Sequence, residues 1–224
     1  MQKIFYVTAV FSLILFFQCS KSEEEEIIDT GIVDGQFKDA RDGKSYQVTE
    51  LFGKYWMAEN LSYKPKEGNT YVMNDDPNTV KTFGYLYDWE TACKVCPEGW
   101  HLPTLDDWKK LMKGMGMDQK GVDRVGWIDT DLGGKLKSTD PLHWETPNKG
   151  ATDELNFNAR GNGIRGKKGS YLWHRSVALF WIATEYNETN AWQWRLKHDE
   201  NRIGRGYTFD KTNALSVRCV QDDL

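Results

Sequence analysis

The stretch CPEGWHLPTLDDWKKL, which runs from Cys96 to Leu111, predicts a tight turn followed by a capped helix. Pro97 and Gly99 are turn-forming residues. Thr104 and Asp107 form a capping-box pattern, with Asp in place of the commoner Glu, so that a helix begins directly after Thr104. The apolar residues of this helix recur at helical spacing up to Gly114; they are Leu105, Trp108, Leu111 and Met112.

The same stretch raises the question of a thiol active site. Cys96 and His101 would be a nucleophile and its base, but no carboxylate can be assigned to orient the imidazole. Cys93 and Cys96 have the spacing of a redox pair or of half a zinc site, yet no second Cys-x-x-Cys completes a zinc set. We therefore expect a structural corner in which His101 bonds to main-chain groups, with no metal and no cofactor.

Composition limits the class of protein. The chain has 224 residues, of which 39% are hydrophobic and 13% aromatic, including 10 Trp, and this is enough apolar material for one sizeable core. The net charge is -4, and no basic stripe is present, so nucleic acid is not an expected partner.

The N-terminus has the features of an export signal. An apolar run from Ile4 to Phe17 follows Lys3, and it is shorter than a membrane span of about 20 residues. Cys19 comes directly after this run, which resembles a bacterial lipoprotein signal in which the cysteine is acylated. We expect residues 1–18 to be the signal peptide. The alternative is a secreted protein in which Cys19 is lost or idle.

Residues 19–34 are expected to form a flexible acidic tether, because Glu23 to Glu26 is a self-repelling charge run. The run resembles the export signal that sends lipoproteins of Bacteroides-type bacteria to the outer face of the outer membrane. The predicted location is therefore the outer membrane, with the chain held by a lipid on Cys19 and exposed at the cell surface.

Residues 35–224 are predicted to form a single α+β domain. An N-terminal hairpin reverses at Phe52-Gly53, a polar loop covers residues 64–82, and a helix is expected over residues 85–95. With the helix after Thr104 this makes two helices. A late antiparallel sheet follows, in which residues 178–184 form a central strand and residues 191–198 alternate, with Trp192 and Arg195 on opposite faces.

Two further patterns in the sequence resemble parts of binding sites. GNGIRG, Gly161 to Gly166, has the spacing of a dinucleotide-binding loop but does not open a helix, so we expect a glycine-rich turn region. Trp56, Trp100, Trp108 and Trp181 are expected in the core. Trp144 and Trp173 lie among loop-forming residues, where an exposed indole can stack on a sugar ring or contact a partner protein.

Several segments together resemble the Fibrobacter succinogenes major paralogous domain. They occur in the family's order over roughly residues 35–222 and are DGKSYQV, YWMAENL, FGYLYDWETA, CPEGWHLPTLDDWKKL, GGKLK, NFNARGNGIR, WIATEYNETNAWQWRL and LSVRCVQD. The family is common in surface lipoproteins, and its biochemical activity is largely undefined. GWHLPTLDDW also resembles a motif of the formylglycine-generating enzyme, which implies a C-type-lectin-like fold.

The resemblance implies a disulfide. In C-type-lectin-like folds a cysteine near the first helix pairs with one in the last strand, and Cys96 and Cys219 resemble that pair. Cys93 with Cys219 remains an alternative, and Cys93 is otherwise expected as a partly buried free thiol. The late cysteine pair of the formylglycine-generating enzyme and the calcium-binding signatures of sugar-binding lectins are missing from this sequence.

The resemblance also implies a function, namely a non-enzymatic recognition or adhesion module for a glycan or a cell-surface protein. The alternatives are an enzyme of the formylglycine-generating or thiol-redox type, or a structural component of a surface assembly. Lectin-like folds carry their ligand loops in the region that corresponds to residues 139–178. We therefore expect the ligand to contact the following side chains in this region: Trp144, Asn148, Arg165, Trp173 and His174.

Overall fold

The structure is a computed structural model that describes residues 31–223. The predicted signal peptide, Cys19 and the run Glu23 to Glu26 lie outside the described residues. Within them the chain forms fifteen strands: β1 (Ile32–Val33), β2 (Gln36–Lys38), β3 (Ser45–Leu51), β4 (Lys54–Met57), β5 (Thr70–Tyr71), β6 (Leu86–Tyr87), β7 (Trp100–His101), β8 (Gly126–Ile128), β9 (Ile164–Arg165), β10 (Tyr171–Leu172), β11 (Val177–Glu185), β12 (Asn190–Lys197), β13 (Ile203–Asp210), β14 (Leu215–Ser216) and β15 (Val220–Gln221).

Helices are few and short by comparison. The described chain contains the α-helices α1 (Thr79–Phe83), α2 (Trp89–Ala92), α3 (Leu105–Gly114) and α4 (Gln119–Asp123), with 3-10 turns at Met73–Asp75 and Leu132–Lys135. The fold is thus mixed but mostly β. The expectation of two helices in the middle of the chain is therefore corrected to four.

The strands form one six-stranded and one seven-stranded sheet, together with the pair β10-β9. The six-stranded order is β1-β2-β3-β4-β15-β7, and the seven-stranded order is β5-β6-β14-β11-β12-β13-β8. The expected late antiparallel sheet corresponds to β11, β12 and β13, while β14 lies parallel to β11. β11 occupies the centre of its sheet, as its continuous apolar sequence predicts.

The N-terminal hairpin is confirmed. β3 and β4 pair antiparallel, and the reversal lies at Phe52 and Gly53, which both have positive φ (52° and 80°). Two residues with positive φ are the geometry of a two-residue hairpin turn. The sheet also extends further toward the N-terminus than predicted, because β1 lies within the segment expected to be tether and pairs with β2.

α3 begins and ends as predicted. The Thr104 hydroxyl accepts a hydrogen bond from the Asp107 N–H at 3.2 Å, and the Asp107 carboxylate accepts one from the Thr104 N–H at 2.8 Å. This reciprocal pair is the capping box. Trp108, Leu111 and Met112 are buried on the inner face of the helix.

The helix expected over residues 85–95 is wrong for most of its length. Leu86 pairs with Tyr71 on one side and Ser216 on the other, so β6 is a strand inside a sheet. The helix begins only after Asp88, whose carboxylate caps the Thr91 N–H at 2.9 Å, and it makes a single turn. Inter-strand hydrogen bonds from distant segments override the local helical spacing here.

The core has two large hydrophobic clusters that lie on opposite faces of β11. Phe180 and Ile182 belong to the first, whereas Leu179 and Trp181 belong to the second. The four tryptophans expected in the core, Trp56, Trp100, Trp108 and Trp181, are all buried.

A buried arginine connects the N-terminal hairpin to the end of the chain. The Arg218 guanidinium donates to the main-chain oxygen of Met57 at 3.1 Å and to the side-chain oxygen of Asn60 at 2.9 Å. It also donates to the main-chain oxygens of Phe157 and Asn158. Burial and the nearby Arg160 lower its pKa to about 9, so Arg218 is still a cation at neutral pH, satisfied by neutral acceptors.

Candidate functional site

The five residues expected to bind a ligand do not form one site. Trp144 is only 2% exposed, and its indole N–H donates to the main-chain oxygen of Ala159 at 2.9 Å. A ligand cannot reach this ring without unfolding the first core cluster, so the assignment of Trp144 as a ligand contact is corrected. Sequence reasoning failed here because loop-like neighbours do not report on burial.

Asn148 and Arg165 are engaged within the protein. The Asn148 amide donates to the main-chain oxygen of Ser138 at 2.9 Å and so holds two parts of a loop together. The Arg165 guanidinium lies over the ring of Tyr71, 3.9 Å from its centroid. Neither residue lines the same cleft as Trp173.

His174 and Trp173 are adjacent in sequence but face different surroundings. The His174 ring packs edge-on against Phe83 at 4.7 Å, and burial with the nearby Arg175 lowers its pKa. Trp173 is 46% exposed, has a positive φ of 62°, and lies 6.3 Å from the Phe209 ring. Of the five predicted residues, only Trp173 therefore presents an accessible ring beside a cavity.

This cavity, which we call the indole cleft, has a volume of about 420 Å³ and lies on the seven-stranded sheet. Its aromatic and charged lining residues come from β8, β12, β13 and the segments that follow β10 and β12; they are Trp127, Trp173, Arg195, Lys197, Asp199 and Phe209. Small-molecule sites typically occupy about 300–1,000 Å³ and combine apolar walls with a few polar groups. The indole cleft has both properties.

A row of three residues crosses the sheet at the cleft, and two of them, Trp127 and Arg195, line it. Arg195 on β12 is in register with Gly204 on β13, and Gly204 is in register with Trp127 on β8. A Cβ atom on Gly204 would lie 2.6 Å from Nε of Arg195 and 2.9 Å from the Trp127 ring. The missing side chain at Gly204 therefore gives Arg195 the space to extend across the sheet onto the Trp127 ring.

The sequences of β12 and β13 contain a partial signal for this row of residues. The alternation of β12 places Arg195 and Lys197 on the face opposite Trp192, and Gly204 and Gly206 alternate along β13. Cationic side chains on one strand, beside glycines at every second position of the next strand, indicate a sheet face with open space next to the cations. The pairing of these strands with β8 cannot be read from that pattern.

A second, larger groove of about 950 Å³ lies between β3 and residues 138–160. It contains a serine, a histidine and an aspartate: Ser138 Oγ is 2.7 Å from Nδ1 of His143, and Nε2 of His143 is 3.9 Å from Asp140. Burial and Arg160 lower the pKa of His143 to about 4. Ser138 is buried and also accepts from the Asp140 N–H at 3.3 Å, which is the bonding of a serine that stabilises a turn.

The stretch from Cys96 onward forms a cross-linked corner. Cys96 is bonded to Cys219, with Cα atoms 5.9 Å apart, and Cys93 is free. The Cys96–Cys219 pairing is confirmed, and the alternative with Cys93 is wrong. Cys93 is exposed rather than partly buried, yet the surrounding protein raises the pKa of its thiol to about 11, so it is protonated at neutral pH.

His101 differs from its expected role in this corner. Its Nε2 atom lies 3.2 Å from Asp107 and its Nδ1 atom lies 2.5 Å from Asp222, so the imidazole bridges two carboxylates instead of bonding to main-chain groups. The side-chain hydrogen bond with Asp107 raises the pKa of His101 against the opposing effect of burial. The sequence could not predict this, because Asp222 arrives from the far end of the chain.

Within residues 31–223 no group of three or more His, Cys, Asp or Glu side chains is placed to hold a metal ion. None of the helices in this range is both long enough and apolar enough to cross a membrane.

Comparison with known proteins identifies a family. The family model of the Fibrobacter succinogenes major domain matches residues 50–221, which include the corner at Cys96 and the whole indole cleft. No curated protein and no solved structure matches the chain. The match covers more than half of the sequence and agrees with the segments that resemble this family, and the chain therefore belongs to the Fibrobacter succinogenes major domain family.

Proposed function

We propose that this protein is a non-enzymatic recognition module that binds a glycan in the indole cleft. The observation that carries the proposal is the exposed ring of Trp173 beside Phe209, in a cleft that also contains Trp127 and Arg195. Aromatic faces pack against the C–H groups of sugar rings, and cationic side chains donate hydrogen bonds to sugar oxygens.

The choice of the indole cleft over the larger groove rests on its lining. The groove beside Ser138 is lined by polar and small residues, and no Trp, Tyr or Phe is among them. A whole protein partner, the other ligand class expected for such a module, typically buries about 800 Å² on each side, and a small concave cleft suits a sugar better.

The proposal includes a C-type-lectin-like arrangement and a lipid anchor at Cys19. The disulfide from the corner before β7 to Cys219, the residue directly before the last strand, supports the former, because such folds pair a cysteine near the first helix with one at the last strand. The anchor rests on the sequence of the export signal alone. Together they would place the indole cleft at the cell surface, on the outer membrane.

An enzyme of the thiol-redox or formylglycine-generating type is the alternative. Such chemistry needs a reactive thiolate. Within the described chain Cys96 is in a disulfide and the Cys93 thiol has a raised pKa, and these two facts support recognition over thiol chemistry. A structural component of a surface assembly is the third candidate.

The experiment is a glycan array probed with the full-length chain carrying Cys19→Ala, which removes the acylated residue; we call this protein the unlipidated chain. We expect binding to a defined set of glycans and at least a tenfold loss of affinity in Trp173→Ala. The matched control is Leu172→Ala, because Leu172 is also 46% exposed but does not line the cleft. If Trp173→Ala binds glycans as tightly as the unlipidated chain does, the indole cleft is not the binding site. If the unlipidated chain binds no glycan, the proposed function is wrong.

A further inference from the structure

Arg195 stands out among the charged groups of the indole cleft because it has no acidic partner. Its guanidinium carbon lies 4.6 Å from the centroid of the Trp127 ring, and its Nε atom is buried without a hydrogen-bond acceptor. Within the described residues no carboxylate lies within 4.0 Å of this guanidinium. A partly buried, unpaired cation is unfavourable unless something else neutralises it.

The neighbouring cations differ from Arg195 in this respect. Lys197 and Arg202 also lie over the Trp127 ring, at 5.1 and 5.6 Å from its centroid. Lys197 is 3.5 Å from Glu200, and Arg202 is bonded to Glu200 at 2.5 Å and lies 3.6 Å from Asp129. Glu200 and Asp129 are therefore paired with these two cations, whereas Arg195 has no ion-pair partner.

The charged lining of the cleft consists of two cationic side chains, Arg195 and Lys197, and one acidic side chain, Asp199, so its sum stays positive. Asp199 lines the cleft but forms no ion pair with Arg195. His198 also lines the cleft; its Nε2 atom lies 4.0 Å from Glu145, and its Nδ1 atom is buried without a hydrogen-bond partner. Burial lowers the pKa of Arg195, and Glu200 only partly opposes this effect, so the site favours the arrival of an anion.

We propose, as an extension that rests on the proposed function, that the glycan is acidic and that Arg195 binds its carboxylate or sulfate group. The planar guanidinium can donate two parallel hydrogen bonds to either anion. Trp173 and Phe209 then supply apolar rings for the sugar itself. Because Gly204 has no side chain, the guanidinium can extend over Trp127 and remain available to a ligand.

The test is calorimetric titration of the unlipidated chain with three probes of similar size. They are a neutral galactan oligosaccharide, a sulfated galactan oligosaccharide and an oligogalacturonate. We expect one or both acidic probes to bind at least tenfold more tightly than the neutral one, and the comparison of the two shows whether sulfate or carboxylate is preferred. Tighter binding of the neutral probe overturns the inference but leaves the proposed function intact. Failure of all three, together with silence on the array, overturns both.

Variants assign the effect to Arg195. Arg195→Gln should reduce affinity for the acidic probe at least tenfold and affinity for the neutral probe by a much smaller factor, because only the acidic probe loses its charge partner, while Trp173→Ala should weaken binding of both. Arg195→Lys retains the charge but not the planar donor pair, so its affinity for the acidic probe should lie between those of the wild type and Arg195→Gln. If Arg195→Gln does not fold, Arg195→Lys provides the comparison. Arg124→Gln is the control, because Arg124 pairs with Asp129 outside the cleft. Inorganic sulfate binding as tightly as the oligosaccharide, or an unchanged Arg195→Gln, contradicts the inference.

Discussion

His101 and Asp107 are bound to each other across the corner that precedes α3, with Nε2 of the imidazole 3.2 Å from a carboxylate oxygen. The same oxygen accepts from the Thr104 N–H, so one carboxylate both caps the helix and holds the imidazole. Asp222 binds the other ring nitrogen, which ties the end of the chain to the start of the helix.

This arrangement predicts how stability depends on pH. The pKa of His101 is raised in the fold, so its contribution is fully present below its unfolded pKa of about 6.5 and is lost as pH rises through the folded value. The pKa of Asp107 is lowered, so its contribution is present above about pH 3.9 and is lost as pH falls through the folded value. The His101–Asp107 pair therefore stabilises the fold most between about pH 3.9 and pH 6.5.

Urea unfolding of His101→Gln at pH 5.5 and pH 8.5 tests this expectation. The variant should be less stable than the wild type at pH 5.5, by about 1 kcal/mol or less because the imidazole is partly exposed, and the difference should shrink at pH 8.5. Leu172→Ala, at an exposed position outside the corner, changes no titratable group and should keep the wild-type pH dependence. A difference that grows with pH would contradict the prediction.

Substitution of Trp144 should reduce stability, whereas substitution of Trp173 should reduce binding and leave stability nearly unchanged. Trp144→Ala removes a buried indole and should lower the free energy of unfolding by about 3–5 kcal/mol. Trp173→Ala removes an exposed ring and should change it by about 0.5 kcal/mol or less. Thermal unfolding of both variants measures this, and similar losses in the two would mean that Trp173 is part of the core.

The Cys96–Cys219 bond should stabilise the domain by constraining the unfolded chain. The two residues are 123 positions apart, and loops of this length correspond to about 4–5 kcal/mol in the chain-entropy estimate, an upper value in practice. The double variant Cys96→Ser with Cys219→Ser should unfold at lower denaturant, whereas Cys93→Ser should behave as the wild type. In the unfolded, unreduced Cys19→Ala chain a single thiol should react, and three reactive thiols would exclude the bond.

Arg218 should not tolerate even a conservative change. Its five donor contacts reach Met57, Asn60, Phe157 and Asn158, and an ammonium group cannot reproduce that planar geometry. We expect Arg218→Lys to lower the free energy of unfolding by about 3 kcal/mol. Arg165→Lys is the control, because Arg165 stacks on a ring nearer the surface, and it should lower the free energy of unfolding by less. Equal losses in chemical unfolding would argue against a special role for Arg218.

Anchoring can be tested in cells. Cys19→Ala should move the protein from the membrane to the soluble fraction, because the lipid would have no attachment site. Neutralising Glu23 to Glu26 should retain the protein on the inner side of the outer membrane, which protease shaving of intact cells detects. Continued membrane association of Cys19→Ala at wild-type levels would contradict acylation, and unchanged shaving would contradict the role of the acidic run.

Local patterns in the sequence determined several elements of this fold. The capping box at Thr104 and the spacing of Trp108 and Leu111 are sufficient for α3, because capping and one apolar face act within a few residues. The turn at Phe52-Gly53 and the continuous apolar run of β11 were predictable for the same reason. The family resemblance added the pairing of Cys96 with Cys219.

Other features depended on contacts between segments that are far apart in the chain. Leu86 and Tyr87 have helical spacing but become a strand, since partners from β5 and β14 bond to them on both sides. Trp144 lies among loop residues and is buried, because it belongs to a core cluster whose members run from Leu51 to Val220. Composition and spacing carry no information about such distant neighbours.

The candidate site belongs to this second group. Trp173 was predictable as an exposed aromatic residue, whereas Trp127, Arg195 and Phe209 come from three different strands. The register that aligns Arg195, Gly204 and Trp127 in one row exists only once these strands pair. The sequence by itself determined the local elements and the family, and the tertiary structure alone decided which side chains share the indole cleft, because strand pairing and not sequence distance sets which residues are neighbours.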